Sequence, residues 1–577
     1  MAPPPPTPDT AYYNLGTYTR TVKTTSAAAQ TWFTRGWQWA YSFNHEEALR
    51  CFRAAAAHDP SCAMAHWGIA YSLGPNYNKA WAFYDRADLA TSTTEALAAL
   101  TLARERATDP AEVSLITALF ARFPAAPDAL PTDFAPLNHA YSRAMRTAHE
   151  SHPTDIDITA LLIEALMCIS PRGLWNLNTG EPSGPHTIEA RRLIETAFTT
   201  SPTTAQHNPT LCHLYIHLME MSPFPEIALP AADRLRRAAP DAAHLLHMPS
   251  HIDMAVGDYR RSVESNTDAI RADEKYVAGC VAEGRTGVSV GGALYVAYRM
   301  HNICAKLYSA LIAGQLAASM EAVEQLEALV GEEVLRIKSP PVADWVESFL
   351  GNRAHVLVRF GRWEEVLRLP EPGDREVYCT TYATVLYAKG VALTALGRVP
   401  EAEAMRKRYD EARGRVPGSR IASLPSKAVD VLAVGAMMLQ GELEYRRGEV
   451  EQAFASLARA AELEDALPYG DPPPWMQPVR HAWGGLLLEQ DRVAEAERVF
   501  REDLGMAEGF PRRKGRLNNV WGLHGLHECL VKQDKLDEAR LLAPYRDLAI
   551  AAADVPIVTS CYCRLSAVSV SGKCCDC

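Results

Sequence analysis

The stretch TWFTRGWQWAYSFNHEEALRCFRAAAAHDPSCAMAHWG, residues 31–68, decides the fold. Its apolar residues recur at three and four positions, the period of an amphipathic helix, and they break once around Ser42–Asn44 before resuming up to Pro60. Two helices joined by a short turn follow. Within this pair, Gly36, Ala48 and Ala55 are small and Trp32, Trp39 and Phe52 are large. Small residues let two helices cross closely, and a large one fills the space left between neighbouring pairs.

Counted from residue 29, Trp32, Gly36, Trp39, Ala48, Phe52, Ala55 and Pro60 match the W-x2-L-G-x2-Y…A-x3-F…P pattern of the tetratricopeptide repeat, whose period is about 34 residues. Arg35 departs from it at the Leu position. The pattern returns with Ala190, Ile194, Ala197 and Pro202, then with Ala228, Ala232, Leu235 and Pro240. Further copies carry Gly441, Ala453, Leu457 and Ala460, and Gly484, Ala496 and Phe500. Weaker copies surround Gly390 with Ala402 and Gly314 with Ser319. Each such hairpin buries its apolar face only by stacking on the next, which predicts an all-α, right-handed α-solenoid of roughly a dozen hairpins with a concave groove. The solenoid is expected over residues 29–545, after a Pro-rich lead-in (1–28) and before a Cys-rich tail (546–577). Gly/Pro-bearing insertions at 124–136, 171–187 and 277–291 are expected to fold over the groove as loops.

The 577-residue chain is 48% hydrophobic, yet no apolar run reaches the roughly 18 residues of a membrane span. The start, MAPPPPTPDT, lacks a basic and apolar leader, so the expectation is a cytoplasmic protein. A net charge of −11 without a Lys/Arg block argues against nucleic acid as a partner. Of 13 cysteines, Cys561, Cys563, Cys574, Cys575 and Cys577 crowd the C-terminus. They read as reduced thiols of an unfolded tail, with a soft-metal-binding tail as the alternative. Residues 1–10 and 560–577 carry no apolar stripe and are expected to pack against nothing.

Histidines are the unusual feature. HLYIHLME (213–220) and HLLHMPSHIDM (244–254) hold five of them. His213, His217 and Glu220 are spaced i, i+4 and i+7, one face of a helix, where two imidazoles can share a metal ion. Pro249 between His247 and His251 either starts a helix or kinks one, and so re-aims one imidazole relative to the other.

Residues 31–78, both His-rich segments, MHNICAKL (300–307) and DPPPWMQPVRHAWGGLLL (471–488) together resemble a family of bacterial and fungal tetratricopeptide-repeat proteins, over most of residues 11–540. The family supplies a pattern rather than a reaction. It adds FNHEEA (43–48) and GPNYN (74–78) as recurring polar features. The repeat-level resemblance also implies that the first helix of each hairpin lines the groove, chiefly through repeat positions 2, 5, 9 and 12. On that ruler Glu164, His213, His217, Glu220, His244, His247, His251, His301, Cys304 and Tyr308 share one stretch of groove, about residues 156–310. Cys304 stands where similar proteins have a second histidine, which would favour a softer ion.

These residues predict a metal site of His213, His217, His244, His247, His251, His301 and Cys304 holding Fe, Cu, Mn or Zn. Glu164, Glu220 and Tyr308 are the candidate catalytic groups. His45, Trp175, Tyr215, Tyr295 and Tyr298 are expected to line a substrate pocket, although His45 also reads as a helix-start residue. The function expected is a metal-dependent enzyme, an oxidoreductase on a small organic substrate, with zinc-type hydrolysis through Glu164 or Glu220 as a variant. Two other classes stay open. One is a non-catalytic repeat scaffold that binds a peptide or partner protein, its histidines forming a polar or proton-responsive surface. The other is a metal carrier or sensor.

Overall fold

The computed structural model describes residues 12–126, 130–285, 292–338 and 341–567. It is an all-α repeat of helical hairpins, and the named strands among the described residues are one small antiparallel pair, Ile421–Ser423 with Ser426–Lys427. The chain divides into two compact units, one of residues 1–252 and 268–298, the other of residues 253–267 and 299–577. No helix among the described residues is long and apolar enough to cross a membrane.

In the first unit, the helix Ala27–Tyr41 begins where the Ser26 hydroxyl accepts the Ala29 N–H at 3.2 Å. Its partner His45–His58 begins where the Asn44 carboxamide accepts the Glu47 N–H at 3.2 Å. Such caps satisfy donors that the first helical turn leaves unpaired. The next helix, Ala63–Leu73, packs on both. Phe52 is the wedge between them: a Cβ at Gly36 would come within 2.8 Å of its ring, and one at Gly68 within 2.4 Å. The second unit repeats the device around Phe500, where Cβ atoms at Gly484 and Gly525 would reach 2.5 and 2.3 Å. Glycine is required at these four positions because the helix backbones rest directly on an aromatic ring.

The lead-in before the first helix is tied down along the first unit. Tyr18 donates to Asp157 Oδ1 at 2.8 Å, and Arg20 grips Asp155 at 2.8 and 2.9 Å. Of the insertions, residues 127–129 and 286–291 lie outside the described residues.

The expectation that the chain packs against nothing from residue 560 onward is corrected by the structure. Thr559, Ser560 and Cys563 are buried in the second unit. Arg359 donates to the Ser560 carbonyl at 2.6 Å, the Ser560 hydroxyl donates to the His481 carbonyl at 3.0 Å, and Arg564 clasps Glu528 at 2.7 and 2.9 Å. An apolar stripe is one way to hold a segment in place, and paired buried polar groups are another. The rest of that expectation, residues 1–10 and 568–577, lies outside the described residues.

Substituting Gly68→Ala should destabilise the protein by about 1–3 kcal/mol through overpacking, and Phe52→Ala by about 3–5 kcal/mol through a cavity. Urea unfolding measures both, and an unchanged midpoint for Gly68→Ala would show that the helices do not rest on Phe52.

Candidate metal centre

The helix Pro209–Met219 is capped by Asn208, whose carboxamide accepts the Leu211 N–H at 3.0 Å, and it carries His213 and His217 with Glu220 as its C-cap. His244 and His247 follow on the short helix Ala243–His247. Pro249 then opens a new helix, Pro249–Val256, which carries His251, so the chain restarts rather than kinks. All five imidazoles belong to the first unit and are buried.

The Nδ1 atoms of three of them are tied up first. Nδ1 of His213 donates to the Tyr41 carbonyl at 2.9 Å. Nδ1 of His217 donates to Glu220 Oε1 at 2.9 Å, and Nδ1 of His251 meets Glu220 Oε2. One carboxylate therefore orients two imidazoles. This is the carboxylate–histidine arrangement that fixes ring tautomer and direction around metal ions, leaving Nε2 as the electron-pair donor.

The Nε2 atoms then converge. Those of His213 and His244 are 3.1 Å apart, and those of His247 and His251 are 2.9 Å apart. One ring nitrogen from each of His213, His217 and His244 lies within 4.8 Å of the other two. Ring centroids run 4.9 Å from His213 to both His217 and His244, 5.4 Å from His217 to His251, and 5.9 Å from His244 to His247. The expected ligands thus sort into a trio and an adjoining pair. Within the pair, His247 ends one helix and His251 lies on the helix that Pro249 restarts.

Burial drives His213, His217 and His244 well toward the neutral form, aided for His213 and His244 by neighbouring imidazoles. Neutral imidazole is the form that ligates a metal. Burial alone would push the Glu220 carboxyl up, but His251 and His217 outweigh it and hold it well below the usual carboxylate range. The Nε2 of His217 and the Nδ1 of His244 are buried without a hydrogen-bond partner. An orphaned buried imidazole nitrogen is costly in a protein and fits a metal ligand.

Phe43, Tyr77 and Asn78 complete the surroundings, and reasoning from sequence alone did not single them out as site residues. The Phe43 ring centroid is 4.5 Å from that of His213 and 5.4 Å from that of His244, and the ring stacks on His217 at 6.2 Å. Its backbone has φ 57°, at the turn between two helices where later hairpins place Gly397, Gly448, Asp491 and Asp534 at φ 71°, 83°, 54° and 57°. A bulky residue in that conformation is strained, and such strain concentrates at functional sites. The signal was an aromatic residue where the repeat favours Gly or Asp. From GPNYN, Tyr77 lies 4.7 Å from His217, and Asn78 Nδ2 lies 3.4 Å from His244 Nε2. Arg172 holds Asn78 in turn, at 3.2 Å.

The other expected residues are paired as follows. Both oxygens of Glu220 are engaged by His217 and His251, so it orients imidazoles and is not placed as a general base. Glu164 accepts from Tyr71 at 2.6 Å and pairs with buried Arg122 at 3.6 Å, the position of a counter-ion. His301, Cys304 and Tyr308 belong to the second unit. There His301 has a ring nitrogen within 4.8 Å of Asp471, and Tyr308 accepts from Arg516 at 3.1 Å. Cys304 Sγ accepts from Asn352 at 3.5 Å, and burial pushes its thiol up to about 12.

Of the expected pocket residues, Tyr298 faces the centre, with its ring 5.3 Å from His244. Trp175 instead donates to the Leu218 carbonyl at 2.6 Å and closes the end of the His213 helix. Tyr215, two positions from His213 and so on the far side of that helix, donates to Glu195 at 3.0 Å. Tyr295 donates to Asp273 at 2.6 Å. His45 begins its helix, with Nδ1 3.1 Å from the Ser72 carbonyl and Nε2 3.2 Å from Asn76, and burial pulls it down to about 3.

Fold and site together define an all-α helical-repeat protein with a buried, carboxylate-oriented imidazole cluster. No family model matches the chain, and no curated protein matches it. Similar solved structures include the human IFIT1 dimer with m7Gppp-AAAA (12% identity, 85% of this chain and 90% of that one, TM-score 0.32). Yeast Tom70 is 12% identical over 89% of this chain and 98% of that one, with a TM-score of 0.29. The TPR domain of P58(IPK) is 13% identical over 82% and 99%, with a TM-score of 0.19.

Glu220→Ala should destabilise the first unit by about 2–5 kcal/mol, since it strands two buried imidazole donors, and Glu220→Gln by less because one acceptor remains. Thermal unfolding separates the two, and equal stability of both variants with the parent would show that Glu220 does not hold the imidazoles.

Proposed function

We propose that this chain is a metal-dependent enzyme whose transition-metal ion is held by His213, His217 and His244. The observation that carries the reading is the inward set of ring nitrogens within 4.8 Å of one another, with Nδ1 of His213 and His217 already committed to the Tyr41 carbonyl and to Glu220. Three protein ligands leave coordination positions open, the hallmark of a catalytic rather than a structural site. The helical repeat already has its own packed core and needs no ion to fold.

The carboxylates considered as hydrolytic bases, Glu164 and Glu220, are occupied by Arg122 and Tyr71 and by two imidazoles. This favours redox chemistry on a small organic substrate over hydrolysis. When bound, iron, copper or manganese would supply one-electron or oxygen chemistry at open positions. The chain's own part is to fix the ring tautomers through Glu220 and Tyr41 and to exclude water with Phe43 and Tyr77. Tyr298 and Asn78 border His244 and would orient what binds there.

Protein purified without a His tag should carry about one transition-metal ion per chain at this centre, measured by elemental analysis. The double variant His217→Ala, His244→Ala should keep its helical circular dichroism and lose that ion. Glu220→Gln should weaken binding by about 10–100-fold. If the double variant keeps its full metal content, or the parent binds none, the reading falls and the imidazoles are those of a peptide- or partner-binding scaffold.

A further inference from the structure

The second unit holds another cluster of ligating side chains. Behind the last long helix, Leu536–Ala552, the chain turns back and is pinned through Ser560 and Arg564, bringing Cys561 and Cys563 over the helix Ala428–Arg446. There a small cavity of about 30 Å³ is lined by both cysteines with Glu442, Arg359, Tyr387 and Met438. An oxygen of Glu442 and the sulfur atoms of Cys561 and Cys563 all lie within 4.8 Å of one another.

Two features need explaining. Glu442 is 3% exposed, and its Oε2 is buried with no hydrogen-bond partner, a costly position for a carboxylate oxygen. The two cysteines, separated by one residue, are joined as a disulfide directly beside it. A buried carboxylate beside two sulfur atoms offers the donor set of a soft or borderline divalent ion. The cavity is large enough for an ion with one water.

We propose that Glu442, Cys561 and Cys563 form a redox-gated zinc site, closed as a disulfide when oxidised and open to Zn2+ when reduced. A dithiol reductant breaks the Cys561–Cys563 bond by thiol–disulfide exchange. It gives up two electrons and two protons, becomes a cyclic disulfide and leaves two thiols. Zn2+ then displaces the two thiol protons and is held by two thiolates and the Glu442 carboxylate. Arg359, on the cavity wall, and Arg446, which donates to the Cys563 carbonyl, balance the negative charge. The two states exclude each other because bonded sulfur atoms sit about 2.05 Å apart, whereas two sulfur ligands of one tetrahedral zinc, each about 2.3 Å from the ion, lie much farther apart. Burial of the strap puts the zinc inside the repeat stack, so reduction and metal loading should also stiffen the link between residues 559–564 and the helices below.

The test uses the full chain carrying His217→Ala and His244→Ala, so that the imidazole centre does not contribute. It is prepared oxidised, or reduced with dithiothreitol and desalted without air, and then titrated with Co2+ as a spectroscopic probe and with Zn2+ against a chromophoric chelator. The reduced protein should take up one ion with a thiolate-to-cobalt charge-transfer band, and the oxidised protein should show neither. Glu442→Gln should keep the fold by circular dichroism and lose at least about tenfold in zinc affinity, as expected for a lost anionic ligand. Cys561→Ser with Cys563→Ser should abolish the band. Equal zinc binding by oxidised and reduced protein, no binding by reduced protein, or unchanged affinity in Glu442→Gln would each overturn the proposal. The Glu442→Gln arm matters most, because thiols elsewhere in the chain would bind zinc without it.

Discussion

The Glu220 carboxylate, shared between Nδ1 of His217 and Nδ1 of His251, is the constraint on which the arrangement of the first unit depends. Without an acceptor the two rings would be free to rotate or to exchange tautomers, and the nitrogen atoms facing His213 and His244 would change with them. One buried carboxylate joins the end of one helix to the start of another and holds both imidazoles by protein contacts alone. Such preorganisation is what separates a ligating set from a coincidence of polar residues.

That geometry rests in turn on the packing below it. Phe52 between Gly36 and Gly68 sets how closely the first helices approach. The turn that ends the first helix supplies the Tyr41 carbonyl to His213 and, two residues on, the Phe43 ring against three imidazoles. The strained backbone at Phe43 is held there because both sides of the turn are anchored, by the first helix and by the Asn44 cap of the second. Packing, turn and site form one chain of cause, and a change in helix spacing would be felt at the imidazoles.

Much of this was legible in the residues. The small-to-large alternation of Gly36, Ala48, Phe52 and Ala55 announced hairpins, and its return at Gly484, Ala496 and Phe500 announced a repeat. The i, i+4, i+7 spacing of His213, His217 and Glu220 placed them on one face, as the helix Pro209–Met219 and its cap show. What could not be read was pairing across space. Nothing in the sequence tells that Glu164 answers Arg122, that Tyr215 turns to Glu195, or that Cys304 meets Asn352. The C-terminal strap was misjudged for a related reason: its anchors, Arg359 and Glu528, lie far away in the chain, and segments held by buried polar pairs leave no periodic signature.

The central claim is that His213, His217 and His244 ligate one ion through nitrogens already aimed at it. Anomalous diffraction at the absorption edge of the metal found in the protein, with the extended fine structure of the same edge, tests it most directly. The account predicts one peak bonded to all three imidazoles at about 2.0–2.2 Å, with multiple scattering from the rings. A peak bonded elsewhere, or a shell of oxygen ligands without imidazole scattering, would contradict it.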